Sequence, residues 1–251
     1  MRKWTDATGR IELWEGDCLE LLPTIFDDVR MVITSPPYCV GMEYEVDTSY
    51  EEHKELIDNF AVCCEQIIDP GGYAFVNFGP RWPAPYSMEG MYWNAFYNAG
   101  MPLYCQRIWK KPWKLCNSMR FYHHKSPRPF AEFENLWTFR KPPLKGNAWD
   151  PPRNLEKSLH AVWEGIETER NVTTEHCAAF PLYIPEWAMQ VHCDAESDML
   201  VVDPFAGRGT TLLAALHYGI RAIGIEMNYF DIAVDWLEGI IKKENSQLKL
   251  L

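Results

Sequence analysis

Short apolar runs alternate with helical patterns along most of the chain, and this alternation limits the possible folds more than any other feature. Strands that alternate with helices in sequence usually form a parallel sheet, which needs helices on both of its faces. At 251 residues the chain has the size of one domain, so we predict a single α/β domain over 1–251. The predicted strands are 10–14, 29–34, 73–78, 103–109, 134–139, 199–203 and 221–226.

Helix signals fall between these strands. Ser49 and Glu52 form a capping-box pattern ahead of apolar residues at helical spacing. A second helix is predicted over 210–218, because the following Gly219 suits a helix C-terminus. The segment 142–174 is polar, contains prolines and has no clear period, so we predict loop or inserted structure there.

Composition excludes several classes of protein. No apolar run approaches the ~20 residues that span a bilayer, and no apolar stretch follows the charged N-terminus, so we expect neither a membrane segment nor a secretory signal. The eight cysteines form no C-x-x-C pair, which favours reduced thiols in a cytoplasmic protein. The adjacent pairs His176-Cys177 and His192-Cys193 suit a tetrahedral zinc ion poorly, and we predict no metal site.

The chain is acidic overall but basic in one stretch. A net charge of -11 argues against indiscriminate binding to a polyanion. Residues 107–128 nevertheless contain no Asp or Glu, and Trp109, Trp113, Phe121 and Tyr122 are interleaved among the cations. Composition leaves two interpretations open, a solvated basic loop or a nucleic-acid interface. The cations are Arg107, Lys110, Lys111, Lys114, Arg120, Lys125 and Arg128.

The segment 203–211, Asp-Pro-Phe-Ala-Gly-Arg-Gly-Thr-Thr, leads from a predicted strand through a glycine turn into a predicted helix. Glycines let a ligand approach the backbone closely, and a helix N-terminus favours an anion such as a carboxylate. No Lys follows the second glycine, as a phosphate loop would need, and Leu212 stands where a dinucleotide fingerprint has its third glycine.

Two acids flank this glycine turn. Asp203, at the end of its strand, can pair with a cation, and Glu226, at the end of the next strand, can accept hydrogen bonds from a ribose diol. A ligand with a ribose, an ammonium group and a carboxylate, but no phosphate, matches this set, and S-adenosylmethionine has that chemistry. The alternative is an ordinary strand-to-helix turn.

A second motif, Ser35-Pro36-Pro37-Tyr38, directly follows the predicted strand 29–34. Two prolines fix the backbone and leave carbonyl groups that no N–H of the same residue competes for. Rigid carbonyls beside a hydroxyl can accept hydrogen bonds from an NH2 group, and a tyrosine ring offers a face on which a flat ring stacks. The alternative is an unremarkable proline loop at a strand end.

The two motifs together resemble those of the DNA methyltransferases that modify an exocyclic amine, cytosine N4 or adenine N6. The serine-proline motif precedes the glycine motif, which is similar to the permuted "beta" arrangement of that family. Residues 11–17, ending in Asp17, resemble the family's strand that meets the adenine of the cofactor, and 176–181 resemble its element near the methionine end. Two residues depart from the family pattern: Arg208 stands where Ser is frequent, and Cys39 where Asn is frequent.

This resemblance implies a fold and a cofactor. The fold is Rossmann-like, of the S-adenosylmethionine-dependent methyltransferase type: a mostly parallel seven-stranded sheet with one antiparallel strand, circularly permuted, with a small DNA-recognition insertion. The implied cofactor is S-adenosyl-L-methionine. The implied cofactor-binding residues are Asp203, Pro204, Phe205, Gly207, Gly209, Thr210, Thr211, Glu226, Asp17, Phe180 and Pro181.

The resemblance also implies a reaction. Ser35, Pro36, Pro37 and Tyr38 are the implied catalytic residues, acting on a base that has been flipped out of the duplex. A serine in the first position favours cytosine N4, with adenine N6 as the alternative. No Pro-Cys dipeptide is present, so carbon-5 chemistry through a thiolate is not supported. Methylation of RNA or of a small molecule, and an inactive DNA-binding or interaction module on the same fold, remain as other hypotheses.

Double-stranded DNA is the implied partner, with 107–128 as the leading contact segment and 142–174 as the second. The recognition sequence is not encoded in any local pattern. A palindromic target can be served by a monomer or by a homodimer, so the sequence leaves the oligomeric state open. The family implies a bacterial or phage-infected cytoplasm and allows a cognate restriction endonuclease that need not touch the protein.

Overall fold

A nine-stranded sheet forms the centre of the protein in the computed structural model. The structure describes residues 1–25, 28–37, 49–79, 87–111, 132–143, 160–164, 180–194 and 197–248. The strand order across the sheet is β1-β2-β9-β8-β3-β4-β6-β5-β7. The strands are β1 Lys3–Thr5, β2 Ile11–Glu15, β3 Val29–Thr34, β4 Ile68–Phe78, β5 Leu103–Lys110, β6 Phe133–Arg140, β7 Val162–Trp163, β8 Leu200–Asp203 and β9 Arg221–Glu226.

The seven strands between the two edges are the seven that the sequence predicts, with end shifts of one residue except in β4, which begins earlier. Among these seven described strands β6 alone runs opposite to its neighbours, pairing antiparallel with both β4 and β5. The expected mostly parallel seven-stranded sheet with one antiparallel strand is therefore confirmed for this central part. The edge strands β1 and β7 have three and two residues, too few for an alternating pattern to show in the sequence.

Helices cover both faces of the sheet. The described helices are α1 Cys18–Leu21, α2 Tyr50–Ile67, α3 Met88–Asn98, α4 Tyr183–His192, α5 Thr210–Tyr218 and α6 Phe230–Leu248, and a short 3-10 turn follows α1 at Leu22–Thr24. Phe60 of α2 and Phe96 of α3 pack in one apolar cluster, with Val32 of β3. The next residue of β3, Ile33, belongs to the other cluster, with α4, α5 and α6. Such double-sided burial is the reason why the strands are apolar on both faces.

Local signals set the helix ends. The Ser49 side chain accepts from the Glu52 N–H, and the Glu52 carboxylate accepts from the Ser49 N–H, so the predicted capping box is present. Helix α5 ends at Gly219, whose φ of 73° lies in the left-handed region, as predicted for that glycine. Among the described helices none is long and apolar enough to cross a membrane.

Strand order brings the two motifs of the sequence together. Strand β8 carries the glycine turn and lies between β3, which carries the serine-proline corner, and β9, which carries Glu226. All three strands are parallel, so their carboxyl ends lie at one edge of the sheet. In open α/β sheets this is the edge at which ligands bind.

Several predictions concern residues outside the described ranges. These are Tyr38 and Cys39, the pair His176-Cys177, most of the segment 142–174, and the basic residues Lys114, Arg120, Lys125 and Arg128.

Candidate active site

The serine-proline corner and the glycine turn are joined by one short hydrogen bond. Thr34, the last residue of β3, donates from Oγ1 to Oδ1 of Asp203, the last residue of β8, over 2.6 Å. Both side chains are buried, with Thr34 0% and Asp203 2% exposed. The residue after Thr34 is Ser35, so the hydrogen bond fixes the start of one motif against the start of the other.

The Asp203 carboxylate accepts further hydrogen bonds from groups of the protein itself. Oδ1 also accepts from the Phe205 N–H at 3.2 Å, and Oδ2 accepts from Thr211 Oγ1 at 2.5 Å. Burial raises the pKa of Asp203 to about 6, against the opposite effect of these hydrogen bonds, and the charge of Glu226 adds to the rise. Asp203 is 2% exposed, and its predicted pairing with a cationic group of the cofactor stays a prediction. The Asp203 carboxylate links the end of β3 to the glycine turn and to α5 through these three hydrogen bonds.

Glu226 is placed differently. Its Oε1 accepts from the N–H groups of Asn228 and Tyr229 at 2.8 and 3.0 Å, and its Oε2 accepts from the Gly207 N–H at 2.8 Å. A carboxylate has about four acceptor positions, so one position on Oε2 is left by these three bonds. The carboxylate is fixed by the same turn that would hold a ligand, and the remaining acceptor suits a ribose hydroxyl.

The glycine turn has the backbone that its sequence predicts. Gly207 and Gly209 have φ values of 54° and 92°, in the region that L side chains rarely adopt. A Cβ on Gly209 would lie 2.9 Å from Cδ1 of Leu237 on α6. The turn therefore packs tightly against α6 and leads directly into the N-terminus of α5, which fits the carboxylate of an amino-acid ligand.

The strand β2 ends beside Glu226. The Gly16 N–H donates to the backbone oxygen of Glu226 at 3.2 Å, and Asp17 follows directly. The Asp17 side chain accepts from the Leu19 N–H at 2.8 Å and caps α1. The structure thus places this predicted cofactor residue at the same sheet edge as the glycine turn.

The Ser35 hydroxyl lies at the start of a chain of polar side chains. Ser35 Oγ donates to Asn77 Oδ1 over 3.4 Å, a long hydrogen bond. Asn77 Nδ2 donates to the Asn135 backbone oxygen at 3.2 Å, and Asn135 Nδ2 donates to Glu89 Oε1 at 3.2 Å. The bond to Asn135 sets the Asn77 amide so that its oxygen faces Ser35.

This combination of a fixed hydroxyl, rigid proline carbonyls and an acid-flanked glycine turn at one sheet edge agrees with a sequence comparison. A family model described as DNA methylase, covering enzymes of the N6 and N4 type, matches residues 29–235. The chain belongs to the N6/N4 DNA methylase family.

Relatives and solved structures agree with this membership. The Type II methyltransferase M.ScaI of Streptomyces caespitosus is 31% identical over 92% of this chain and 82% of its own. The Type II methyltransferase M.BglI of Bacillus subtilis is 27% identical over 84% of this chain and 80% of its own. The fold matches the PvuII DNA methyltransferase (cytosine-N4-specific) with a TM-score of 0.72 and 23% identity, over 92% of this chain and 86% of that one. It also matches the M1.HpyAVI–SAM complex with a TM-score of 0.64 and 18% identity, over 90% and 98%.

The protein is thus a DNA methyltransferase that uses S-adenosyl-L-methionine, and the residues at the edge fit that cofactor. Glu226 offers an acceptor for a ribose, and the N-terminus of α5, directly after the glycine turn, suits a carboxylate. Arg208, the departure from the family pattern, stacks over Trp236 of α6 with Cζ 4.9 Å from the ring centre. Burial lowers the pKa of this guanidinium.

Five other predicted cofactor residues pack or form hydrogen bonds within the protein, and their contact with the cofactor stays a prediction. Phe180 is buried in the apolar cluster beneath α4, and the Pro181 backbone oxygen accepts from the Ile184 N–H at 3.0 Å at the start of that helix. Pro204 is buried, and Phe205 packs edge-on against Phe60 of α2 at 5.4 Å. Thr210 is buried at the first position of α5.

The described part of the basic stretch is less positive than its sequence suggests. Arg107 is 7% exposed, with its guanidinium 5.4 Å from the Trp163 ring centre, so it is badly placed to meet a DNA phosphate. Lys110 pairs with Glu164 at 2.8 Å, and Lys111 pairs with Glu134 at 2.5 Å. Acids from β6 and from the residue after β7 therefore neutralise the cations at the end of β5.

Sequence patterns do not reveal two polar residues of this site. In the sequence Thr34 ends a predicted strand directly before Ser35, and Asn77 lies in an apolar run; no role is predicted for either side chain. Both are buried polar residues near the carboxyl end of a strand. A polar residue in an otherwise apolar strand is the sequence signal that could have identified them.

Proposed function

We propose that this DNA methyltransferase transfers a methyl group to the N4 amine of cytosine in double-stranded DNA. The single observation behind the choice of base is Ser35: a neutral hydroxyl, and no carboxylate, begins the motif at the end of β3. The structurally similar PvuII enzyme, named as cytosine-N4-specific, supports the same choice. Adenine N6 is the alternative, because the same carbonyls could hold that amine.

An exocyclic amine is a weak nucleophile, because its lone pair is delocalised into the ring. In this proposal Ser35 Oγ and the Pro36 backbone oxygen accept the two N–H groups of the amine. Those bonds favour a pyramidal nitrogen whose lone pair points along the line of attack. The bond from Ser35 Oγ to Asn77 Oδ1 occupies the serine proton, so that the oxygen acts as acceptor.

S-adenosyl-L-methionine, when bound, would supply an electrophilic methyl group: the S–CH3 bond would break as the N–CH3 bond forms, leaving S-adenosylhomocysteine, and the methylated amine would lose one proton to water. The residues of the chain then act through position and fixed dipoles. Glu226 and the glycine turn orient the ribose and the carboxylate end, and Tyr38 stacks on the flipped base. No covalent bond between enzyme and base is required.

The test is methyl transfer from labelled S-adenosylmethionine to double-stranded DNA, read by mass spectrometry of the nucleosides. We expect N4-methylcytosine. N6-methyladenine would replace the main proposal by its alternative, and the absence of any methylated base from all DNA tested would favour an inactive DNA-binding module. Labelled RNA serves as the control substrate and should stay unmethylated.

Two variants separate the roles at the site. Ser35→Ala should lower kcat by about 100-fold or more with little change in cofactor affinity, because in this proposal the hydroxyl contacts the amine and not the cofactor. Glu226→Ala should instead weaken cofactor binding, measured by calorimetry. The substitution removes the acceptor for the ribose and the hydrogen bond from the Gly207 N–H. Equal losses of turnover and affinity in Ser35→Ala would assign the serine a structural role.

We further propose that the enzyme works in a bacterial or phage-infected cytoplasm as the modification partner of a restriction endonuclease, without direct contact between the two. The named Type II relatives support this setting. Whether the enzyme acts as a monomer or homodimer is a separate measurement by light scattering with and without DNA.

A further inference from the structure

Asp203 connects three segments whose relative positions matter for the reaction. Its two carboxylate oxygens accept hydrogen bonds from Thr34 at the end of β3, from the Phe205 N–H in the glycine turn, and from Thr211 in the first turn of α5. The two strand ends are neighbours in the sheet, with Val32 opposite Val202. The Asp203 side chain thus connects the serine-proline corner to the cofactor turn across two neighbouring strands.

The three donors differ in what they hold. Phe205 and Thr211 belong to the segment that carries the glycine turn, so their bonds fix Asp203 within its own loop and helix. The Thr34 hydroxyl alone among these three donors comes from the other motif. The Thr34 side chain is 0% exposed, so water cannot replace the bond when the hydroxyl is removed.

We propose that Thr34 is a positioning residue for methyl transfer: its hydroxyl links the serine-proline corner to Asp203 and so sets the distance between the amine and the methyl donor. This inference rests on the proposed function of the same site. A displacement of about 1 Å between reacting groups can cost about 100-fold in rate, even where binding is unchanged. Loss of the Thr34 hydroxyl should therefore lower kcat, whereas loss of the Thr211 hydroxyl should disturb the cofactor turn.

Thr34→Val keeps the shape of the side chain and removes the hydroxyl. We expect kcat to fall by about 10- to 100-fold while the cofactor Kd changes by less than about threefold. Thr34→Ser should restore most of kcat, since it restores the donor. Thr211→Val should show the reverse division, with a weaker cofactor Kd and a smaller effect on kcat.

Thr24→Val is the matched control, because Thr24 also donates from its hydroxyl, to the Leu21 backbone oxygen at 2.7 Å, but on the exposed turn after α1. It should leave kcat and Kd unchanged. Wild-type kcat in Thr34→Val, or equal losses in Thr34→Val and Thr34→Ser, would overturn the proposal.

A readout without DNA separates this inference from the proposed function. Loss of the Thr34 donor removes one stabilising contact from the ionised Asp203, which is also faced by the charge of Glu226 on β9. The pH at which Asp203 titrates in thermal unfolding should therefore rise in Thr34→Val and stay constant in Thr24→Val. Hydrogen exchange of the Ser35 amide should quicken in Thr34→Val alone. If the wild type methylates no DNA but both shifts occur, the link stands and the proposed reaction fails; if methylation occurs without either shift, the link fails.

Discussion

At the scale of single residues, the charge on Asp203 opposes folding although its oxygens organise the site. Its native pKa of about 6 lies above the ordinary value of 3.8, chiefly because burial penalises the carboxylate. The native state therefore binds a proton more tightly than the unfolded chain does. Stability is lost as the pH rises from about 4 through about 6, by about 3 kcal/mol in total, and it stays lower above that range.

Asp203→Asn should remove this pH dependence, because the amide cannot ionise. The free energy of unfolding of the variant minus that of the wild type should be about 3 kcal/mol higher at pH 8 than at pH 4, measured by thermal or denaturant unfolding.

Asp6→Asn is the control with the opposite sign. Burial alone would raise the pKa of Asp6, but hydrogen bonds from Thr8, Ile11 and Arg10 outweigh it and lower the pKa. Asp6→Asn should accordingly cost more stability at neutral pH than at pH 3, and parallel trends in the two variants would contradict this account.

At the scale of elements, His217 joins the three helices of one sheet face. Its ring on α5 lies 3.3 Å from Glu186 of α4 and 3.2 Å from Glu244 of α6. The hydrogen bond to Glu186, helped by Glu244 and against burial, raises the pKa of His217 above its ordinary 6.5. A raised histidine pKa adds stability that is full below the unfolded pKa and lost as the pH rises through the folded one.

His217→Gln should destabilise the protein more at pH 6 than at pH 9, because the stabilising charge on the wild-type ring is lost as the pH rises through its raised pKa. The ring is partly exposed, so solvent screening limits the effect to about 1 kcal/mol or less. Thermal unfolding at the two pH values measures it. Lys242→Gln, which breaks the surface pair with Glu238 on α6, is the control, and its effect should be the same at both pH values. A loss of equal size at both pH values would mean that His217 acts through packing rather than charge.

At the scale of the whole molecule, the sequence predicts what depends on local pattern. The seven central strands, the Ser49 cap and the Gly219 helix end each follow from periodicity or from one residue's backbone preference. Polar partners distant in sequence do not: Thr34 and Asp203 are 169 residues apart, and nothing local marks them as neighbours. The same reason explains why the sequence places Arg107 at a surface, since its burial against Trp163 depends on how β5 and β7 pair.

Because the protein is acidic overall, DNA binding depends on which of its cations face the phosphates. The net charge is -11, and the described basic residues at the end of β5 are neutralised by Glu164 and Glu134. The DNA contact proposed for the basic stretch therefore falls on its remaining cations, which lie outside the described residues. These are Lys114, Arg120, Lys125 and Arg128.

Replacing all four by Gln should weaken binding to double-stranded DNA and flatten its salt dependence. Removing one phosphate contact lowers the slope of log K against log salt by about 0.9, so removing four lowers it by about 3 to 4. The charge-matched control replaces Arg10 and Arg221, which stand at the start of β2 and β9, together with Lys242 and Lys243 in the last turns of α6. Because both variants change the net charge equally, a long-range effect of charge would alter both slopes alike. A lower slope in the first variant alone would support direct contact between the phosphates and 114–128. An equal decrease in both variants would mean that DNA binding depends only on the net charge of the protein and that this segment makes no direct contact.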